Sequence, residues 1–320
     1  MEPFSHIVIL PAAFVLDMLV GDPRALPHPV RWMGAAIAAV EKPFRNLTSN
    51  LIAGGLIFAC ALVLTTWLIA WGLVALADAV HPLCGTLVQI VLVATAVSAR
   101  SLWDAAGKVW RTLKDGPLQD ARQQVAMIVG RDTAQLDHSG VARAAVESVA
   151  ENFVDGVVSP VFYAALGGAP LAIAYKMVNT LDSMVGYRNE RYRLFGRASA
   201  RIDDAANFLP ARLSVPVIAA AAQWLFKSGA SSITCAVREG RHHKSPNGGF
   251  PEAAFAGALQ ITLGGPDSYG GTRVDKPVIG AGNPPPQTHH IPRACSQLLL
   301  SSAIWVLLSW GIQNLLRIAV

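Results

Sequence analysis

Glu147, Glu151 and Asp155 recur every four residues in the stretch VARAAVESVAENFVDGVVSP. A helix turns about 100° per residue, so the three carboxylates fall on one face. Stacked in this way they repel one another unless a cation or a basic partner lies among them. An apolar run begins directly afterwards at Val157, which places the acidic face at the edge of a greasy element. A Mg²⁺ site or a pocket for a substrate amine is the functional reading, and a solvated stripe is the bland one. A second acidic cluster, Asp203, Asp204 and Asn207, is a further candidate for Mg²⁺. That ion prefers one or two carboxylates completed by water and substrate phosphates.

Phosphate chemistry also has candidates. Arg188, Arg191, Arg197 and Arg201 lie in YRNERYRLFGRASARIDD, and the guanidinium fork matches phosphate oxygens in a way that an ammonium does not. An anchoring role with local ion pairs is the alternative. Lys176, Asn179 and Asp182 are spaced by three on an otherwise apolar helix; such groups are costly in lipid and should face a cavity or pair with each other. The loop HHKSPNGGFPE contributes His243, Lys244, Ser245, Asn247 and Glu252, and its Gly248-Gly249 permits close backbone approach to an anion. Neither this loop nor GGTRVDK at 270–276 is a Walker A sequence, and His242-His243 lacks the second ligand cluster of a zinc site. Near the N-terminus, Asp17, Asp22, His28 and Arg31 form a compact polar knot for which function and structure are equally open.

These residues sit in a chain of 320 residues that is 52% hydrophobic and only 15% charged. A soluble domain carries about 25% charged residues. The deficit, with apolar runs of membrane length, predicts an all-α polytopic integral membrane protein in a single membrane-embedded domain. Spans are expected at 7–20, 51–77, 83–99 and 297–318. The element at 157–178 is interrupted by Leu166-Gly-Gly-Ala-Pro170 into two apolar halves. Neither half spans a core of about 30 Å at 1.5 Å per residue, so a broken or re-entrant helix is expected there. The short apolar stretch at 213–226 is expected to dip in the same way. Polar extramembrane segments are expected at 21–50, 100–152, 179–212 and 227–296, the second forming a large cytoplasmic helical segment. The first apolar run lacks a basic flank and an A-x-A site, so it is expected to be a retained anchor.

The net charge of +5 comes from 26 basic and 21 acidic residues. In a membrane protein such an excess reports loop topology, and no basic-plus-aromatic nucleic-acid pattern is present. Lys and Arg concentrate in 21–50 and 100–152 and are absent from 78–82, which predicts the N-terminus outside and the motif-bearing loops on the cytoplasmic side of the cell inner membrane. The four cysteines, Cys60, Cys84, Cys235 and Cys295, show no CxxC spacing and read as packing residues.

Taken in order, LDMLVGDP…PHPVRWMG, AAVESVAENFVDGVVSP, YKMVNTLDSMVGYRNERY, FGRASARIDDAANFLPARL and SPNGGFPEAAFAGAL…LGGP resemble the CobD/CbiB family of cobalamin biosynthesis. The similarity runs from Asp17 to about Lys276; Gly248 stands where the family often has Ala, and the 283–290 loop matches no family motif. The resemblance implies an adenosylcobinamide-phosphate synthase. Such an enzyme joins aminopropanol, or its O-phosphate, to a propionate carboxylate of adenosylcobyric acid, with ATP as co-substrate and Mg²⁺ as cofactor.

Amide formation from a carboxylate needs activation, most simply as an acyl phosphate, whose developing charge Arg and Mg²⁺ stabilise. On this reading Glu147, Glu151 and Asp155 serve metal or amine binding, with Asp203, Asp204 and Asn207 as the second cluster. The arginines, with Lys176 and Lys244, contact phosphate, and Glu151 or Asp182 acts as general base. Expected partners are the corrinoid and aminopropanol substrates, membrane lipid and other membrane enzymes of the pathway, with no nucleic acid. The competing expectation is a non-catalytic membrane sensor or regulator on a related scaffold, in which the acidic and arginine clusters would be dispensable.

Overall fold

In the computed structural model, residues 7–22, 28–187, 189–243 and 245–318 are described. The chain is nearly all α and divides into two compact units. Five stretches are long and apolar enough to cross a membrane: Leu51–Val80, Pro82–Asp115, His138–Val185, Arg197–Phe226 and His290–Leu316. The protein is a polytopic membrane protein.

The first unit takes residues up to Ser98, then Ser159–Asn207, and the chain from Val306 onward. It contains α1 (Ile9–Val20), α2 (Pro29–Arg45), α3 (Leu51–Val80), α4 (Pro82–Ala96) and α8 (Ser159–Val185). The Asn50 side chain caps α3 by accepting from the backbone N–H groups of Ile52 (3.0 Å) and Ala53 (3.2 Å). His81 closes the turn into α4, its Nδ1 accepting from Leu83 N–H at 3.2 Å, with Pro82 at the first helical position. Only 22% of the most apolar window of α3 is buried, so most of its greasy surface is left for lipid. α8 leaves helical geometry at Gly167 (φ −141°, ψ 22°) and Gly168 (φ 68°, ψ −165°). Pro170, two residues on, has no N–H to offer the Leu166 carbonyl, so the ladder is interrupted at that point.

The second unit takes Ala99–Val158 and Phe208–Trp305. It contains α5 (Ala99–Asp115), α6 (Leu118–Ala126), α7 (His138–Phe153), a π-helical turn (Val154–Val158), α10 (Gly229–Glu239) and α11 (Gly249–Leu259). Two long helices, α9 (Arg197–Phe226) and α12 (His290–Ile318), contribute to both units. The apolar stretch at 213–226 is therefore the second half of a 30-residue helix that starts among the arginines. The change from polar to apolar sequence there is not a change of backbone, because neither side contains a breaker until Pro210 and Pro216, which the helix accommodates.

α10 and α11 pack closely: a Cβ on Gly257 would lie 2.4 Å from the Ser231 carbonyl oxygen, and Ser232 Oγ donates to the Ala254 carbonyl at 2.9 Å. The core of the unit gathers Val141, Val149, Phe153, Phe255, Leu259 and Ile261, all buried. Beside it lies an antiparallel hairpin, β1 (Leu263–Tyr269) and β2 (Thr272–Ile279), with Tyr269 opposite Thr272 and a bulge between Gly264 and Pro266. Its turn is Gly270-Gly271, with φ of 57° and 77°. A two-residue turn of this hand needs positive φ at both positions, and only glycine takes it without strain. The hairpin is an addition to the all-α expectation; its signal was the Gly270-Gly271 pair between two short non-helical stretches.

Candidate functional site

α7 begins at the Asp137 cap, whose side chain accepts from Gly140 N–H at 2.7 Å, and its Ala/Val faces bury it in the second unit. Its remaining surface carries Glu147, Ser148, Glu151 and Asn152. Three of these, Ser148, Glu151 and Asn152, line a cavity of about 250 Å³ closed by Arg131, His243 and Lys276. Glu151 is exposed to it.

Behind the cavity wall runs a buried chain of charges. Glu147, 2% exposed, accepts from Gly264 N–H at 2.7 Å and pairs with Arg131 (Oε2–Nη2 2.5 Å). Arg131 reaches on to Asp267 (2.9 Å), and Asp267 also meets Arg143 (2.8 Å) and Lys276 (2.9 Å). Arg143 further donates to the carbonyls of Gly264 and Pro266. A sealed carboxylate among three cations offsets the desolvation of the group. Burial pulls the Arg131 guanidinium down, but Glu147 and Asp267 outweigh it and hold its pKa above the ordinary value. Lys276 follows the same pattern: burial and the charge of Arg131 lower it, and Tyr269 and Asp267 leave it raised.

The hairpin that supplies Asp267, Tyr269 and Lys276 is clasped at its tip. Asp132 accepts from Ser268 Oγ (2.9 Å), Gly270 N–H (3.1 Å) and Gly271 N–H (2.8 Å), and its own N–H donates to the Ser268 carbonyl. The bonds from Gly271 and Ser268 hold the Asp132 carboxyl below the usual aspartate range.

The loop after α10 completes the wall. His243 Nδ1 accepts from Ser245 N–H at 3.1 Å, which leaves Nε2 toward Glu252 Oε1 at 3.7 Å. Ser245 Oγ accepts from the N–H groups of Asn247 (3.3 Å) and Gly248 (3.2 Å), a serine turn that fixes the loop. Asn247 Oδ1 accepts from Arg212 at 3.1 Å, and that guanidinium lies over the rings of Phe208 (3.5 Å) and Phe250 (4.6 Å). Glu252 is 5% exposed. Burial, then the nearby charges of Glu151 and Glu147, push its carboxyl well above the ordinary value, and burial lowers the His243 imidazole.

The predicted acidic face is thus only partly assembled. Glu147 is spoken for by Arg131 and the Gly264 amide. Asp155 falls in the π-helical turn, where bonding shifts from i→i+4 to i→i+5 and the four-residue register with Glu151 is lost. Among the described residues no group of three or more His, Cys, Asp or Glu side chains is placed to hold a metal ion. Glu151, His243, Ser245, Asn247 and Glu252 do gather in the second unit.

The other predicted residues belong to the first unit. Asn207 is locked: its Oδ1 accepts from Ser159 (2.5 Å) and Tyr175 (2.9 Å), and its Nδ2 donates to Asp203 (3.0 Å). These bonds tie α8 to α9 and make Asn207 a tether of the bundle. Asp204 stands half-buried on the same helix. Arg191 pairs with Glu41 (3.0 Å), which also holds Arg45 (2.7 Å). Arg197 and Arg201 are exposed on α9, whereas Lys176 and Asp182 are half-buried on α8 and engaged with neighbours. His28 caps α2, with Nδ1 toward Val30 N–H at 3.4 Å and Nε2 on Asp22 at 2.9 Å. Asp17 is buried in α1 and Arg31 is exposed on α2. Arg188 and Lys244 lie outside the described residues.

Sequence reasoning missed Arg131, Arg143, Asp132, Asp267, Tyr269 and Lys276. The available signal was two short polar marks, Gly130-Arg131-Asp132 and, just after the Gly-Gly turn, Asp275-Lys276.

The family model described as CobD/Cbib protein matches residues 10–298. A cobalamin biosynthesis protein CobD of Klebsiella pneumoniae is 48% identical over 271 residues, covering 84% of this chain and 85% of the relative. A cobalamin biosynthesis protein CbiB of Salmonella typhimurium shows the same identity and coverage. CobD of Photorhabdus laumondii is 45% identical over 300 residues, 93% of this chain and 94% of the relative. No solved structure matches. With nearly its whole length matched, the chain belongs to the CobD/CbiB family.

Proposed function

We propose that this protein acts in cobalamin biosynthesis as an ATP-dependent carbon–nitrogen ligase. It attaches aminopropanol, or its O-phosphate, to a propionate carboxylate of adenosylcobyric acid, giving adenosylcobinamide or its phosphate. The observation that carries this reading is the cavity of the second unit, where the exposed carboxylate of Glu151 stands among Arg131, His243 and Lys276. A carboxylate suits a substrate ammonium, and the two cations suit phosphate oxygens. In the ligation a propionate oxygen takes the γ-phosphoryl group of ATP, which breaks the β–γ bond, releases ADP and gives an acyl phosphate. The amine then attacks the acyl carbon, phosphate leaves, and Glu151 takes the amine proton.

The donor set here is one cavity-facing carboxylate, too few for a dedicated cation cage. It fits Mg²⁺, which keeps several waters and binds through one or two carboxylates and substrate phosphates. Glu151 would hold it, and when bound with ATP it would supply positive charge for the phosphoryl oxygens. In this reading the protein sits in the cell inner membrane with the cavity on the cytoplasmic side, in reach of the corrinoid and of other membrane enzymes of the pathway.

The test is direct. Purified protein in detergent, given adenosylcobyric acid, aminopropanol phosphate and Mg·ATP, should form the amide with consumption of ATP. No amide under these conditions, from protein that remains folded, would sink the ligase reading and favour a non-catalytic role.

A further inference from the structure

α5 follows the apolar helix α4 closely, yet it is built differently. The chain leaves helical geometry at Val97 (φ −84°, ψ 147°), so α5 is not bound to continue the direction of α4. Its inner side, Ala99, Ala106, Val109 and Leu113, is buried on the second unit. The flank beside it carries two tryptophans, seven residues apart and therefore on one stripe. Trp103 is 37% exposed and Trp110 half-buried.

Each indole has a cation over its face. Arg100 Cζ lies 5.2 Å from the Trp103 ring and Lys114 Nζ lies 5.4 Å from the Trp110 ring. Arg111 is exposed on the same flank. Of the two carboxylates on the helix, Asp104 is taken up by Arg100 at 2.9 Å and Asp115 lies at the far end, 4.0 Å from Lys114. A helix facing only water has no reason to hold out two indoles, and one facing hydrocarbon could not carry this many cations. Tryptophan and long cationic side chains share one favoured place, the headgroup layer, where the ring or stem is apolar-facing and the tip is wet.

We propose that the exposed flank of α5, with Arg100, Trp103, Trp110, Arg111 and Lys114, lies in the headgroup layer and holds the headgroups of anionic phospholipids. The cations outnumber the carboxylates on that face, which selects acidic over zwitterionic lipid, at roughly tenfold or more for two basic residues.

Full-length protein reconstituted in nanodiscs of phosphatidylcholine, with or without phosphatidylglycerol, tests this. A nitroxide at Gly107→Cys, in a Cys60→Ser/Cys84→Ser background, reports depth; an added Cβ at Gly107 meets only Arg111, at 3.9 Å. The label should show the collision profile of the headgroup layer. By native mass spectrometry the protein should retain phosphatidylglycerol over phosphatidylcholine, and an Arg111→Gln/Lys114→Gln variant should lose roughly tenfold of that preference. Arg238→Gln, an exposed charge on α10, should leave it unchanged. A label as accessible as one in bulk water, a label shielded from both water and lipid by another protein surface, or a lipid preference indifferent to Arg111 and Lys114 would each overturn the proposal.

Discussion

Glu147 and Arg131 meet with 2.5 Å between Oε2 and Nη2, and their side chains are 3% and 7% exposed. An ion pair so enclosed is not a surface ornament: removing Glu147 leaves Arg131 buried with Asp267 alone, a carboxylate it shares with Arg143 and Lys276, at a cost of up to about 3–5 kcal/mol. It also ties α7 to the hairpin, since Arg131 goes on to Asp267 and Glu147 holds the Gly264 amide. Glu147→Gln should therefore lower the thermal midpoint of the purified protein in detergent, and the loss should not be recovered by raising Mg²⁺. A variant of ordinary stability whose activity returns with added Mg²⁺ would restore Glu147 as a metal ligand.

Glu151, one helical turn on, should behave in the opposite way. It faces the cavity and holds no part of the core together. Glu151→Gln should fold with an unchanged midpoint and lose roughly 100-fold or more of its rate of amide formation, the scale of a lost general base. Lys276→Met should raise the apparent KM for the phosphorylated amine. It should also loosen the hairpin, because Asp267 keeps only Arg131 and Arg143. Steady-state kinetics beside a melting curve separates the two variants.

The contrast between these two neighbours shows how far the sequence could be read. The four-residue spacing of Glu147, Glu151 and Asp155 draws attention to α7, the helix that carries Glu151 to the cavity. It is silent on partners, because Arg131 and Asp267 come from stretches 16 residues before and 120 residues after Glu147. Helical periodicity sees neighbours at three and four residues, not a hairpin folded over from elsewhere. The π-helical turn is equally hidden, since no local residue preference announces it. By contrast, the Gly167-Gly168 break was legible, because glycine beside proline is a backbone instruction that needs no partner. The membrane character was legible for the same reason: it is a property of composition and run length.

pH dependence follows from Glu252. Burial and the charges of Glu151 and Glu147 raise its carboxyl well above the ordinary value of 4.5, while Lys276 and Arg131 pull the other way. Between the ordinary and the raised value the folded chain holds a proton that the unfolded chain has released, so stability declines as pH climbs through that window. Glu252→Gln removes the titration. Its melting temperature should fall less than that of the parent as pH rises above 5, although its contact with His243 is altered. A parallel pair of curves from pH 5 to 9 would show that Glu252 is ionised throughout.

Asp132 titrates with the opposite sign. Its carboxyl is lowered by the amides of Gly271 and Gly270 and the Ser268 hydroxyl, so its hold on the hairpin is complete at neutral pH and is lost only as pH falls through the depressed value. Asp132→Asn cannot accept at both oxygens. It should free the hairpin tip and expose the Gly270 and Gly271 amides to hydrogen exchange, at a pH where the parent protects them. Equal protection in both proteins would mean that the strand pairing alone secures the turn.

Gly168 offers a test in the first unit that does not depend on the proposed reaction. Its φ of 68° and ψ of −165° lie in a region that residues with a Cβ avoid, and an added Cβ would stand 3.1 Å from Gln89 Oε1. Gly168→Ala must either strain the backbone or straighten α8, and straightening would meet Pro170, which has no N–H to continue the ladder. The expected loss is about 1–3 kcal/mol, seen as a lower midpoint in detergent. Leu166→Ala, an exposed side chain beside the same break, should cost far less. If Gly168→Ala is as stable as the parent, the interruption of α8 owes nothing to its glycines, and Pro170 alone produces it.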